Sequence, residues 1–294
     1  KKYRNNKLTK LALAGGAFAN VKLNQKISEL KNVEEISVFP HMGDGGLATG
    51  AAYVLLSKKK LIKPYTLNNA YLGTDYTNED YIQALENNSK SVAYSRVTNI
   101  ACTIAKALQE GKVVAYFNGR MEYGPRALGN RSIFISAKDP SINQWLNEKL
   151  CRSEFMPFAP MILKEKESEY FKNLDSKHKC TKFMTITTQV TNKALTNTPA
   201  AVHIDGTARF QSITKDQNPV IHEMLESYYK LTGIPAVINT SFNMHEEPIV
   251  ESPRDAVKAF LQGGLDILVL GNYIVERKES DKLEFLKEKD TITV

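Results

Sequence analysis

The chain has 294 residues, 42% hydrophobic and 24% charged, proportions that argue against disorder and leave room for one large domain or two ordinary ones. A net charge of +7 favours anionic partners. Much of it lies in Lys58-Lys59-Lys60 and scattered lysines, so a solvated surface is the main reading and nucleic acid the minor one. No apolar run approaches the ~20 residues of a membrane span, and the basic start at Lys1-Lys2-Tyr3-Arg4 lacks the apolar region of a secretory signal. Cys102, Cys151 and Cys180 form no CxxC pair, which argues against a zinc knuckle or a disulfide framework and for a reducing cytoplasm. A start without Met, with a strand-like segment inside ten residues, suggests a fragment cut from a longer protein.

In chain order, Leu11–Ala14 reads as a strand ending at Gly15-Gly16, and Ala17–Ile27 as a helix with Phe18, Val21, Leu23 and Ile27 near one face. Ile36–Phe39 is the next strand. A Gly-rich loop, Pro40 to Gly46, then opens a helix over about 47–57. Asp44, flanked by Gly43 and Gly45, either reaches a metal or ligand hydroxyl or serves as a turn former or N-cap. Residues from about Leu61 to Asp80 lose periodicity and read as a connection.

The second unit predicts a helix at Tyr81–Glu86, a strand at Val92–Val97, a helix at Ile100–Gln109 and a buried strand at Val113–Phe117. The stretch 120–132, RMEYGPRALGNRS, follows and leads into the strand Ile133–Ile135. Its arginines are planar forks suited to phosphate and carboxylate oxygens. They either cradle a phosphorylated ligand, or are merely solvated or paired with Glu122 and its neighbours. A helix is expected from about Ile142 to Leu150, then a Pro-bracketed segment that could present Arg152 and Glu154 to a pocket. Lys164 to Lys182 reads as a charged surface helix and loop, and Phe183–Val190 as a strand.

Strand alternation over Ala201–Gln211 would put His203, Asp205, Thr207, Arg209 and Gln211 on one side, lining a polar cavity, although Gly206 could insert a bulge. After a helix at Pro219–Leu231, the strand Ala236–Ile238 enters Asn239-Thr240-Ser241-Phe242-Asn243, whose uncharged amides and hydroxyls suit a carbonyl, ribose or base edge. A helix at Pro253–Leu261, strands at Ile267–Leu270 and Tyr273–Glu276 and a charged tail complete an α/β chain.

Six ordered motifs resemble the O-carbamoyltransferase family that includes nodulation proteins and the aminoglycoside and cephamycin carbamoyltransferases. They are GGAFAN at 15–20, GDGG at 43–46, GRMEYGPRALGNRS at 119–132, PFAP at 157–160, HIDGTAR at 203–209 and NTSFN at 239–243. The resemblance covers about residues 10–277 and implies the C-terminal remnant of an actin/hexokinase-like (ASKHA) unit over 1–62. A linker at 63–78, a YrdC-like α/β domain at 79–277 and a charged tail at 278–294 would follow. It implies that ATP, with Mg²⁺, and carbamoyl phosphate form carbamoyladenylate, whose carbamoyl group passes to a substrate hydroxyl beside a divalent metal, iron among the candidates.

On that resemblance Arg126, Arg131, Arg209 and Ser241 take catalytic roles. Arg120, Arg152, His203, Asp205, Thr207, Asn239, Thr240 and Asn243 bind nucleotide or carbamoyl phosphate, and Asp44 is the metal ligand. Two departures stand out: no His-x-x-x-His occurs, and Met156 replaces the Arg that many members place before PFAP. The remnant is expected to expose an apolar edge that packs on a neighbour or a second chain, giving a homodimer. Two other functions compete: threonylcarbamoyl-adenylate formation for tRNA modification, and a non-catalytic nucleic-acid-binding module.

Overall fold

The computed structural model describes residues 9–63, 65–142, 158–244 and 246–278. The predicted Ile142–Leu150 helix beyond its first residue, Arg152, Glu154 and Met156 lie outside the described residues.

Two strands, β1 (Thr9–Leu13) and β2 (Val33–Val38), pair in parallel and, among the described residues, with no other strand. Helix α1 (Val21–Ser28) connects them, its first turn capped by the Asn20 side chain on the Lys22 and Leu23 amides. After β2, the Gly-rich loop leads into α2 (Leu47–Lys58), none of whose residues is buried. Leu47, Val54 and Leu55 are each more than half exposed.

The larger sheet has eight strands. These are β3 (Val92–Arg96), β4 (Val114–Phe117), β5 (Arg131–Ile135), β6 (Ala159–Leu163), β9 (Gln211–Ile213), β10 (Ala236–Ser241), β11 (Ile267–Leu270) and β12 (Tyr273–Arg277). The short β7 (Thr188–Gln189) and β8 (Thr207–Ala208) form a separate pair. The order is β3-β12-β11-β4-β5-β10-β6-β9, parallel only at β11/β4 and β6/β9. Every residue of β4, β5, β6 and β11 is buried, and only Arg131 and Ser132 of β5 interrupt their apolar character.

Helices cover both faces. Against Ala115, Phe117, Ile133, Ile135 and Leu268 pack α3 (Asn78–Glu86) and a C-terminal helix, Pro253–Gly263, through Leu85, Val257 and Phe260. On the other face α4 (Ile100–Gln109) and α5 (Pro219–Thr232) pack Ile104, Leu108, Met224 and Leu225 against Val114, Phe134, Val237 and Val269; the C-terminal helix is α6. Capping boxes Thr77/Asp80 and Ser252/Asp255 start α3 and α6. Asn218 caps α5, which ends at Gly233 in the left-handed region.

Two expected segments differ. Within Lys164–Lys182, Tyr170, Phe171, Lys177, Cys180 and Thr181 are buried. Tyr170 and Phe171 pack with Ile162, Ala208 and Phe210, whereas Cys180 meets the smaller unit, where Ile36, Val38 and Met42 share a core with it and Ile186. The Ile36 amide donates to the Ser176 carbonyl (2.9 Å), and Asn24 Nδ2 donates to the Thr185 carbonyl (2.7 Å). The strand predicted at Phe183–Val190 is reduced to Thr188–Gln189. Met184, at φ 54°, turns the backbone out of an extended path.

Candidate anion-binding site

The stretch 120–132 is organised by Glu122, which is buried. Its Oε1 accepts from the backbone N–H of Leu128 (2.7 Å), Asn130 (2.7 Å) and Arg131 (3.2 Å). Next to it, the Tyr123 hydroxyl reaches Thr49 Oγ1 (2.8 Å) and the Gly45 carbonyl (3.2 Å), so the loop docks onto the start of α2. Gly124 lets the chains meet: its φ is 127°, and a Cβ there would stand 3.0 Å from the Pro40 carbonyl oxygen.

This loop separates its arginines. Arg126 lines a cavity of about 60 Å³ together with Arg209, Phe158 and the β10 end Asn239-Thr240-Ser241. Next to Arg209 in the chain, the Phe210 ring stacks on Phe171 at 3.7 Å between centroids. Burial pushes the Arg209 guanidinium down to about 9, and neighbouring Arg126 acts in the same sense; burial lowers Arg126 as well. Among the described residues neither guanidinium has a hydrogen-bond or carboxylate partner, and Arg126 Nε is buried without an acceptor. Two cations converging without a counter-ion are electrostatically unfavourable until an anion sits between them.

Asn239 supplies the neutral counterpart. Gln211 donates its Nε2 to the Leu128 carbonyl (2.8 Å), which leaves its Oε1 to accept from Asn239 Nδ2 (2.9 Å); that Nδ2 also reaches the Ala127 carbonyl (3.1 Å). Two acceptors around one atom fix the amide's orientation. Asn239 Oδ1 is thereby left buried without a donor, an acceptor available to a ligand N–H. Sequence reasoning missed Gln211 as the residue that orients Asn239, though it had placed it on the polar side of 201–211.

Arg131 is not brought to this cavity. It shares the alternation of Ile133 and Ile135 and points to the α3/α6 face of the sheet. There it is fully buried, lies 3.6 Å above the Phe117 ring, and donates Nη1 to the Asn118, Gly119 and Asn130 carbonyls (3.2, 2.9 and 3.0 Å). Arg120 is exposed and donates to the Gly73 (3.0 Å) and Leu72 (3.2 Å) carbonyls. Both arginines hold loops together.

The expected polar strand face at 201–211 is a turn instead. The His203 amide donates to the Thr207 carbonyl (2.8 Å) and the Gly206 amide to the His203 carbonyl (2.9 Å). Asp205 closes the turn by accepting from the Thr207 amide (3.1 Å), with Gly206 at φ 70°. Burial, then Arg209, pushes the His203 imidazole below its usual range. Asn243 ties its own turn, donating Nδ2 to the Met244 and Glu247 carbonyls (both 2.9 Å).

Asp205 is exposed and bonded to Lys22 at 2.6 Å. Lys22 first, then Thr207, holds its carboxyl down at about 2. The stabilisation it gives is present above the unfolded value of ~3.9 and is lost as pH falls through about 2. Carboxyl titration by NMR should find this low midpoint and see it rise in Lys22→Met; an unchanged midpoint would remove Lys22 as the cause.

Asp44 opens a short 3-10 turn, Asp44–Gly46, and is exposed. One carboxylate does not satisfy a divalent ion, and among the described residues no three His, Cys, Asp or Glu side chains are grouped to hold one. Asp44 alone is too small a donor set among the described residues for a resident divalent metal, iron included. No helix of the described residues is long and apolar enough to cross a membrane.

Comparison with known proteins supplies the context. The family model described as Carbamoyltransferase C-terminus matches residues 105–277, and the one described as Carbamoyltransferase N-terminus matches residues 2–53. An uncharacterised protein of Methanocaldococcus jannaschii is 36% identical over 284 residues, covering 94% of this chain and 46% of its own length. Nodulation protein NolO of Bradyrhizobium diazoefficiens is 36% identical over 275 residues, covering 92% and 50%. Nodulation protein U of Rhizobium tropici is 33% identical over 235 residues, covering 80% and 38%.

The chain thus spans about half the length of the curated relatives it matches. The match is not confined to the C-terminus model: the N-terminus model covers residues 2–53 as well, and 94% of the chain aligns with one relative. Full-length HypF in its phosphate- and nucleotide-bound form is 16% identical with a TM-score of 0.42, over 64% of this chain and 22% of that one, too distant a likeness to carry an argument.

Proposed function

The chain belongs to the carbamoyltransferase family, and we propose that its eight-stranded unit condenses ATP with carbamoyl phosphate into carbamoyladenylate. The observation that carries this reading is the pair Arg126 and Arg209, without a counter-ion among the described residues, beside the free acceptor of Asn239. Motif order further supports a YrdC-like identity for this unit, with residues 63–78 as a linker from part of an actin/hexokinase-like unit.

Water cleaves carbamoyl phosphate to inorganic phosphate and carbamate. A carbamate oxygen then bonds to the α-phosphorus of ATP as the bond to the β-phosphate oxygen breaks, and pyrophosphate leaves. Several negative charges gather in that step, and guanidinium groups fixed in advance stabilise it without reorganising. Asn239 Oδ1 accepts from the carbamoyl NH₂, and the Ser241 hydroxyl offers a second polar contact. Mg²⁺ arrives as part of the nucleotide substrate. By the measure in which one water needs ~10–15 Å³, the cavity holds roughly four to six waters. That suits the carbamoyl and α-phosphoryl groups, with the nucleoside extending beyond it. Transfer of the carbamoyl group to an acceptor hydroxyl releases AMP and completes the family's reaction in a cytoplasmic setting.

The test is pyrophosphate release from ATP with and without carbamoyl phosphate. Release should depend on carbamoyl phosphate and fall several-fold in Ser241→Ala, the loss of one neutral hydrogen bond of about 0.5–1.5 kcal/mol. Release driven instead by threonine with bicarbonate would replace this reading with threonylcarbamoyl-adenylate formation. No release with either would end both.

A further inference from the structure

We propose that a second cavity, separate from the arginine site, binds an aromatic organic anion: a ring system bearing a carboxylate, sulfonate or phosphate. It encloses about 400 Å³ between the end of β2, the C-terminal half of α2, residues 62–63 and 65–67 and the turn 179–183, within the size range of small-molecule sites. This inference goes beyond the proposed function and stands if that reading fails. The two cavities share no lining residue; Phe183 faces one and its neighbour Met184 the other.

The walls are aromatic. Phe39, Tyr53, Tyr65 and Phe183 line the cavity. The Tyr53 and Tyr65 rings meet edge to face, with centroids 6.1 Å apart at 86°, and their hydroxyls bond to each other. Such walls favour stacking or edge contacts with a flat ring.

The charge at this cavity is one-sided. Lys63, Lys179 and Lys182 line it, and no Asp or Glu is among its lining residues. Lys179 is already paired with Glu35 at 2.8 Å. Lys182 is half-buried and has no carboxylate partner among the described residues. Burial, then Lys164 and Lys179, pushes its ammonium down. An anionic group docked here would answer a cation that the protein leaves unanswered, while the ring filled the aromatic space.

The test titrates the intact protein with 8-anilinonaphthalene-1-sulfonate by fluorescence, and in parallel with the uncharged N-phenyl-1-naphthylamine. Lys182→Met should weaken the sulfonate roughly tenfold, the scale of one charge-assisted bond, and leave the uncharged dye unchanged. Ser57→Phe, at an exposed lining position of α2, should close the cavity to both, with circular dichroism confirming that each variant is folded. Sulfonate binding that survives Ser57→Phe would place the dye elsewhere, for example on the exposed Leu47, Val54 and Leu55, and would overturn the proposal. So would a Lys182→Met variant that binds the sulfonate as the parent does, or that weakens both dyes equally.

Discussion

Arg209→Met should remove nearly all carbamoyl-phosphate-dependent pyrophosphate release while making the unliganded protein harder to unfold. The two effects have opposite signs because the same charge acts in both. Without ligand, the Arg209 guanidinium is desolvated beside Arg126 and lacks a partner among the described residues. Methionine fills similar volume without the charge, so the folded state should gain on the order of 1–2 kcal/mol. With ligand, the parent forms charge-assisted hydrogen bonds of about 1.5–3 kcal/mol each. Losing two costs about 3 kcal/mol or more, over a hundredfold in turnover. Thermal unfolding with and without ATP and carbamoyl phosphate checks both signs: ligand should raise the parent's Tm by linkage and leave the variant's in place. A variant that is less stable without ligand, or that still gains Tm with it, would show that Arg209 is not an open anion contact.

Much of the fold was legible from local pattern. The runs Val113–Phe117, Ile133–Ile135 and Ile267–Leu270 announced central strands because all of their neighbours are apolar. The helices expected from Pro219 and Pro253 begin there, capped by Asn218 and Ser252, because a helix start is a local matter of a side chain and the next amides. The failures are long-range. The segment 201–211 had a strand's alternation, but Asp205-Gly206 closes a turn within five residues, and a turn outcompetes a ladder whose partner strand is distant in sequence. Lys164–Lys182 carries enough charge to look like surface. Its burial is long-range: Tyr170 and Phe171 pack on Ala208 and Phe210, and Cys180 is covered by β2, more than a hundred residues earlier.

The arginines show the same limit more sharply. Arg126 and Arg131 sit five residues apart in one motif, yet one opens into a cavity and the other is sealed under the sheet. A signal for Arg131 was present: it keeps the parity of Ile133 and Ile135, so a strand extended back by two residues had to bury it. Nothing local distinguishes Arg126, because its partner in the site, Arg209, arrives from a different strand connection. The two arginines therefore part company within one loop: Arg126 lines the cavity, while Arg131 is sealed under the sheet within the field of Glu122.

Removing the charge of Glu122 should be among the most destabilising single changes in the chain, and a double-mutant cycle can show why. Glu122 is 5% exposed and Arg131 is 0% exposed, and the carboxylate's field is the largest influence offsetting the burial of that guanidinium. Glu122→Ala leaves three backbone N–H groups without their acceptor and a buried cation without its counter-charge, a loss on the order of 3–5 kcal/mol. Arg131→Met alone should cost a similar amount, because it strands the carboxylate and the carbonyls that received Nη1. If the pair acts as a unit, the double variant will cost well under the sum, with a coupling energy of about 1–3 kcal/mol in urea unfolding. The loop that carries Arg126 depends on this pair, since the Leu128, Asn130 and Arg131 amides are all held by Glu122. Pyrophosphate release should therefore fall in both single variants, in step with stability. Additive costs in the cycle would mean that Glu122 shapes the loop through its backbone contacts alone and that Arg131 needs no counter-ion, being satisfied by Phe117 and the carbonyls that line its slot.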